Sequence, residues 1–405
     1  MDSNSLKRKK SSGTTRHCMV VHAYYPMGET RVEREANALM AQGTEVDIIC
    51  LLAPQQAAMS LENGVEVYRL PVRRHRGSNL VVQMVEYLTF FILAFIHLAK
   101  LHWRKRYAVI QVHNLPDFLV FVSLIPKLMG AKIILDLHDL MPEFYAERFQ
   151  RSMDSFLVRM ICWQEWISCG FSDHIITVTE LWRQALIKRG QPAKKITVIM
   201  NVADDHIFYP GAATHIPDDN QFRLIYHGIF GQRHGLDLAV MALNQVLQAE
   251  PNIFLTLHGD GEYFQTLKNL IDKLGLQDHV YFSAWGMPTS ELPKLLSTAD
   301  LALVPYRNGL FTGGILPTKL MEYAALGIPV IAARTPAIAT YFDDNTVLFF
   351  TPGDVDELAS CILALFHDRL RLAELARNIG IFNEFFNWNQ ISLQYVGLVE
   401  RLRIR

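Results

Sequence analysis

The chain has 405 residues, enough for two domains of ordinary size. Its 39 Lys and Arg balance 40 Asp and Glu, which excludes nucleic-acid binding driven by a global positive field. Five scattered cysteines (Cys18, Cys50, Cys162, Cys169, Cys361) are odd in number and lack paired spacing, which excludes a disulfide framework or a zinc site and fits a reducing cytoplasm.

Residues 1–16 carry Lys7 to Lys10 ahead of a Ser/Gly/Thr run, with no apolar stretch, so they read as a disordered basic tail and not as a signal peptide. An apolar β-run, His17 to His22, then leads into a turn around Gly28, and a helix from about Arg31 to Gln42 stops at Gly43. The next strand is Glu45 to Leu52. Further strands are expected at Val65–Arg69, Val109–His113, Lys132–Leu137, His174–Val178 and Lys195–Met200, with helical patterns between most of them.

One helical stretch, Asn79 to His102, is apolar on nearly every side. Its longest uncharged run, Tyr87 to Ala99, falls short of the ~20 apolar residues a bilayer span needs. Arg73, Arg74 and Arg76 precede it and Arg104, Lys105 and Arg106 follow. Two readings stay open: a core helix against the first sheet, or one that also touches an anionic membrane surface.

The polar, proline-containing stretch Ala203 to Asn220 marks a boundary. A second series begins at Phe222–His227 and continues at Ile253–His258, His279–Ala284, Leu301–Pro305, Pro329–Ala332 and Val347–Phe350. Strands alternating with helices imply parallel βαβ units. The expected fold class is α/β, with doubly wound domains at 17–203 and 204–385. Residues 386–405 then form a helix that packs back on the first domain.

Within the second series, the segment Thr312 to Ile331 carries most of the chemistry. Gly313 and Gly314 leave the backbone bare, so N–H groups at the following helix start are expected to meet an anion. Pro317 suits the first helical turn. Lys319 stands near that anion, and Glu322, one turn on, is placed to grip a ribose diol. Gly327 stops the helix. Asp343-Asp344 precedes a strand and reads as a turn, not as a metal loop.

Several stretches in this order resemble the family 4 retaining glycosyltransferases (glycosyl transferases group 1) of GT-B fold, over roughly His17 to Trp388. They are Gly28 to Gly43, His113-Asn-Leu-Pro-Asp117, Asp136 to Glu143, Tyr226 to Asp237, His258 to Glu262, and Thr318 to Ile331. The resemblance implies two tandem Rossmann-like domains facing a central cleft. It implies transfer from a UDP or GDP sugar to a hydroxyl of a sugar or lipid-linked acceptor, with no cofactor and no metal. Polysaccharide or glycan biosynthesis is the expected setting, in the cytoplasm with contact to the inner face of the cytoplasmic membrane.

It further implies His138, Arg233 and Lys319 as catalytic residues. Gly28, Gly228, Arg233, Gly259, Gly313, Gly314, Ile315, Leu316, Lys319 and Glu322 would bind the donor. His113, Asp139 and Glu143 would meet the acceptor, although His113 reads equally as a packing residue and Asp139 and Glu143 as groups that orient His138. Arg31 and Arg34 either meet an acceptor phosphate or lie on a helix surface. Three positions depart from the family pattern. Gly314 stands where a glutamate is common, so backbone N–H groups of Gly313 to Leu316 must replace it. Ile229 and His234 stand where cations are common, leaving phosphate charge to Arg233 and Lys319. A UDP-sugar 2-epimerase of the same architecture, or a catalytically inactive GT-B binding protein, is the alternative.

Overall fold

The computed structural model describes residues 15–26, 29–75, 79–211, 221–283 and 286–404. Gly28, nearly all of the basic tail and the second half of the expected boundary stretch lie outside the described residues.

The first sheet is built from β1 (Arg16–Tyr24), β2 (Glu45–Leu51), β3 (Met59–Glu62), β4 (Val65–Leu70), β5 (Val109–His113), β6 (Lys132–Leu137), β7 (His174–Thr177) and β8 (Ile196–Val198). Their order is β3-β4-β2-β1-β5-β6-β7-β8, parallel throughout except for the β3–β4 pair at the edge. Strand β3 was not expected from the sequence. It is four residues long, half-exposed, and forms only because β4 offers it an edge.

The second sheet holds β9 (Phe222–His227), β10 (Ile253–His258), β11 (Val280–Ser283), β12 (Leu301–Val304), β13 (Val330–Ala333) and β14 (Leu348–Phe350), all parallel, in the order β11-β10-β9-β12-β13-β14. Helices cover both faces of each sheet, so the strands read as continuous apolar runs and not as alternating ones. In each sheet the order reverses beside a central strand, at β1/β5 and at β9/β12. The carboxyl ends of such strands are where parallel sheets meet ligands.

The last helix, Trp388–Ile404, lies against the helix Thr30–Ala41 and β5 of the first sheet. Its buried Tyr395 hydroxyl donates to Gln111 Oε1 at 2.7 Å, and the ring of Trp388 carries the Arg34 guanidinium 4.8 Å above it. The chain thus crosses back after completing its second sheet.

The apolar helix spans Leu80–Lys105 and is neither wholly core nor wholly surface. Phe90, Ala94, Leu98 and Leu101 are buried against the first sheet, whereas Val85, Leu88, Ile92 and Ile96 are exposed on another face. Among the described residues, its stretch Val81–Lys105 is long and apolar enough to cross a membrane by length and composition, with 22% of its most apolar window buried.

Candidate active site

On the first sheet the site is organised by Asp136, the penultimate residue of β6. It is fully buried and takes two hydrogen bonds from Arg31, at 3.1 and 3.3 Å, and one from Gln111 Nε2 at 3.0 Å. Its Oδ2 also lies 3.2 Å from His113 Nδ1 and 3.6 Å from His138 Nε2, and these two imidazole nitrogens are 3.0 Å apart. The backbone N–H of His138 donates to Asn114 Oδ1 at 2.8 Å.

Burial works against the charged form of His138, but the adjacent Asp136 carboxylate outweighs it and the His138 pKa is raised. For Asp136, burial opposes ionisation, and Arg31 followed by His138 overcomes it, holding the carboxyl well below its ordinary range. His113 has the opposite fate: burial dominates and lowers it to about 4. The result is an imidazolium-leaning His138 at a strand end, oriented from behind by His113, Asp136 and Arg31.

Three expectations change here. His113 is completely buried behind His138, so it orients that ring and does not reach an acceptor. Glu143 accepts from Arg189 Nη1 at 2.6 Å in a buried cluster with Glu165, and it does not line the cleft. Arg31 is spent on Asp136 and on the Ile199 carbonyl, and Arg34 on Val202 O and Asn201 Oδ1, so both tie helix to core and neither waits for a phosphate. Asp139 does line the cleft, and burial raises its pKa against the pull of His138 and Arg233.

On the second sheet, Lys319 lies buried in the helix Thr318–Leu326, with Pro317 at its N-cap and Gly327 at its C-cap. Its ammonium donates to the Tyr226 hydroxyl at 2.8 Å and the Tyr306 hydroxyl at 3.1 Å, and stands 4.3 Å from the Tyr226 ring centroid. Burial lowers its pKa to about 7, with Glu322 too weak a counterweight. Beside it, Gly228 at the end of β9 leaves room for the ammonium: a Cβ there would stand 3.0 Å from Lys319 Nζ. Gly259, at the end of β10, has φ +146°, and a Cβ on it would meet the Gly228 carbonyl oxygen at 1.9 Å. Only glycine lets the two strand ends approach so closely.

Glu322 accepts from His227 Nε2 at 2.5 Å, and His227 Nδ1 in turn lies 2.8 Å from the Tyr323 hydroxyl. Arg233 stands over the Phe311 ring at 5.7 Å and is exposed to the cleft. Its neighbour His234 is held near 3 by burial, then by Lys319 and Arg233, so it remains a neutral imidazole.

The loop from Gly309 to Pro317 corrects the expectation of free backbone donors. The N–H groups of Gly313, Gly314 and Ile315 donate to Gly309 O, Phe311 O and Thr312 O at 2.9, 3.0 and 3.3 Å, so none of these three is available to an anion. Gly314 is there for another reason. A Cβ on it would stand 2.2 Å from Cη2 of Trp182, whose indole comes from the first domain. No carboxylate at position 314 can coexist with that ring.

Phe311 from the same loop is buried between Trp182 (6.1 Å, stacked) and Phe144 (5.2 Å, edge-on), joining the apolar core of the first domain. Ile315 packs against that core as well.

A cleft of about 520 Å3 results, lined from the first domain by Glu29, His138, Asp139 and Trp182, and from the second by Ile229, Arg233, Tyr306 and Ile315 to Thr318. His138 and Arg233 therefore face one space. Among the described residues, His113, Asp136 and His138 form the one group with metal-ligand geometry, their ligating atoms all within 4.8 Å of one another. Both Asp136 oxygens are already engaged by Arg31. Tyr226, Tyr306, Trp182 and Phe311 were not foreseen. Tyr306 was within reach, since it follows an apolar strand directly, but the others announce nothing except hydrophobicity.

Two family profiles match the chain: "Glycosyl transferase 4-like domain" over residues 28–201 and "Glycosyl transferases group 1" over residues 213–381. Among curated proteins, the chain is 33% identical over 147 residues to a GDP-mannose-dependent alpha-(1-6)-phosphatidylinositol monomannoside mannosyltransferase of Mycolicibacterium smegmatis, covering 35% of this chain and 38% of that one. It is 28% identical over 239 residues to the amylovoran biosynthesis glycosyltransferase AmsK of Erwinia amylovora, covering 56% of each. The chain thus spans between 38% and 56% of the length of these two relatives.

Among solved structures, a sucrose-phosphate synthase from Thermosynechococcus elongatus superposes with a TM-score of 0.76 at 20% identity, covering 96% of this chain and 99% of that one. Anabaena HepE in complex with UDP superposes at 0.70 and 17% identity, covering 96% and 100%. At these identities the likeness is one of fold: two parallel-sheet Rossmann-like domains in the GT-B arrangement.

Proposed function

The chain belongs to the glycosyl transferases group 1 family, and on that premise we propose that it moves a sugar from a nucleoside-diphosphate sugar to an acceptor hydroxyl with retention of anomeric configuration. The observation that carries this reading is the opposition of His138 and Arg233 across one cleft, with Lys319 buried beside the glycine-rich end of β9 and lacking an ion-pair partner among the described residues. A buried cation at pKa about 7 gains its full charge when an anion arrives. A diphosphate leaving group, whose charge grows as the glycosidic bond breaks, is such an anion.

In this reading Glu322 holds the ribose, and Lys319 and Arg233 hold the diphosphate. His138, favoured as imidazolium, donates to a hydroxyl of the transferred sugar. The departing phosphate oxygen takes the proton of the acceptor hydroxyl on the same face, so no protein carboxylate forms a covalent bond. Charge neutralisation by side chains leaves no step that calls for a metal. GDP-mannose is the first donor to test, because curated relatives are named for it; UDP-glucose is the second, because a solved structural neighbour is described with it.

The exposed apolar face of the helix Leu80–Lys105, with Arg73 and Arg74 before it and Arg104 and Arg106 at its end, supports a protein that rests on the inner face of the cytoplasmic membrane and receives a lipid-linked acceptor.

The test is nucleoside-diphosphate release from these donors, with and without candidate lipid-linked acceptors, in the presence and absence of EDTA. Acceptor-dependent release that survives EDTA supports the reading. Acceptor-independent isomerisation of the donor would favour the 2-epimerase, for which Glu29 and Asp139, cleft carboxyls raised by burial, are the structural support. Nucleotide binding without release of product would leave a binding protein.

A further inference from the structure

A second cavity of about 740 Å3 adjoins the cleft and shares Ile229, Arg233, His234 and Phe311 with it as a common wall. Two guanidiniums line it without a carboxylate partner among the described residues: Arg148 from the first domain and Arg233 from the second. Aromatic faces hold both. Arg148 lies 5.9 Å from the Phe144 ring centroid and 5.8 Å from that of Phe149, and Arg233 lies 5.7 Å from that of Phe311. Because Phe144 and Phe311 meet edge-on at 5.2 Å, the two cations flank one aromatic pair that spans the domains.

The other charges of the cavity do not neutralise them. Arg307 is bonded to Asp237. Glu147 accepts from the N–H groups of Phe311 and Thr312 at 2.9 and 3.1 Å and from the Thr312 hydroxyl at 2.5 Å, so both its oxygens are spent on the loop. Glu262 is exposed at the rim.

We propose that this cavity is an anion subsite for a phosphoryl group of the acceptor, gripped by Arg148 and Arg233 from the two domains. This rests on the transferase reading above. Guanidinium presents a planar fork that matches phosphate oxygens, and stacking on aromatic rings pre-orients it without satisfying its charge. The assignment to acceptor and not donor follows from Arg148: Arg233, which also serves the diphosphate, borders both spaces and can bridge the two anions, whereas Arg148 stands on the first domain and lines this cavity but not the cleft. An anion bridging both arginines also links the first domain to the turn Gln232–His234 that follows β9, so acceptor binding and cleft closure would coincide.

The probe is inorganic pyrophosphate, titrated calorimetrically into the full chain saturated with GDP, or with UDP if that is the nucleotide bound. Wild type is expected to bind it, and Arg148→Gln to weaken it about tenfold or more, the loss of charge-assisted bonds to one phosphoryl group. Nucleotide affinity of Arg148→Gln should match wild type, which also shows that the variant is folded. If pyrophosphate is displaced by nucleotide, or if Arg148→Gln binds it as wild type does, the subsite is overturned while the donor reading stands. If neither nucleotide binds wild type, the transferase reading itself falls, and the subsite with it.

Discussion

Gly314→Ala tests the way the domains meet. A Cβ at that position would stand 2.2, 2.4 and 2.6 Å from three ring carbons of Trp182, and a stacked indole that is only 3% exposed cannot swing aside. Gly314 does not have a positive φ, so alanine fits the backbone and the whole cost is steric. Overpacking of this kind costs typically about 1–3 kcal/mol. Because the clash sets a loop of the second domain against Trp182 of the first, the penalty falls on the closed cleft, and a closing equilibrium shifted by that amount changes about 5- to 150-fold.

The expected result is a fall of that size in kcat/KM for nucleoside-diphosphate release, with far-UV circular dichroism unchanged. Combining Gly314→Ala with Trp182→Leu should recover part of the loss, a coupling that a double-mutant cycle measures directly. Gly314→Glu, which restores the carboxylate common in the family, should do worse than alanine. Wild-type turnover in Gly314→Ala, or a gain in Gly314→Glu, would refute the reasoning.

Three further outcomes are expected. Lys319→Met should lower turnover about 10²- to 10³-fold, as loss of one leaving-group contact does. Folded Lys319 titrates near 7 against an ordinary value of 10.5, so between these values the unfolded chain carries more protons and ligand-free stability rises with pH. Urea midpoints measured across that window should show the rise in wild type and a flatter course in the variant, while wild-type nucleotide affinity falls as the lysine discharges.

Glu322→Gln should weaken nucleotide binding about tenfold with little change in kcat, because a ribose contact is present in both ground and transition states; an unchanged dissociation constant would remove Glu322 from the ribose. Finally, the protein should sediment with anionic liposomes at low salt. Replacing Arg73, Arg74, Arg104 and Arg106 by glutamine should release much of it, at about 1 kcal/mol per cation, and wild type that stays in the supernatant would refute the membrane contact.

The sequence by itself determined the two parallel sheets, because strands covered on both faces must be written as unbroken apolar runs separated by helical periods. It also determined the helix that carries Lys319 and Glu322, since Pro317 and Gly327 delimit it locally and a spacing of three puts both side chains toward one side. Tertiary structure alone decided what those groups face. The resemblance implies His113 and Glu143 as acceptor ligands, yet Asp136 and Arg189, supplied by other elements, claim them. The backbone donors of Gly313 and Gly314 look free in sequence and are consumed by their own turn.

Gly314 looks like a lost carboxylate until the indole of Trp182, from the other domain, is seen in the space. The apolar helix Leu80–Lys105 shows little polarity along its length, and only its seat on the first sheet divides it into a buried and an exposed face. Periodicity and caps are local properties of a chain, legible along it. Which cation finds which carboxylate, and which glycine makes room for which ring, is settled by contacts between elements distant in sequence, and no local pattern encodes those.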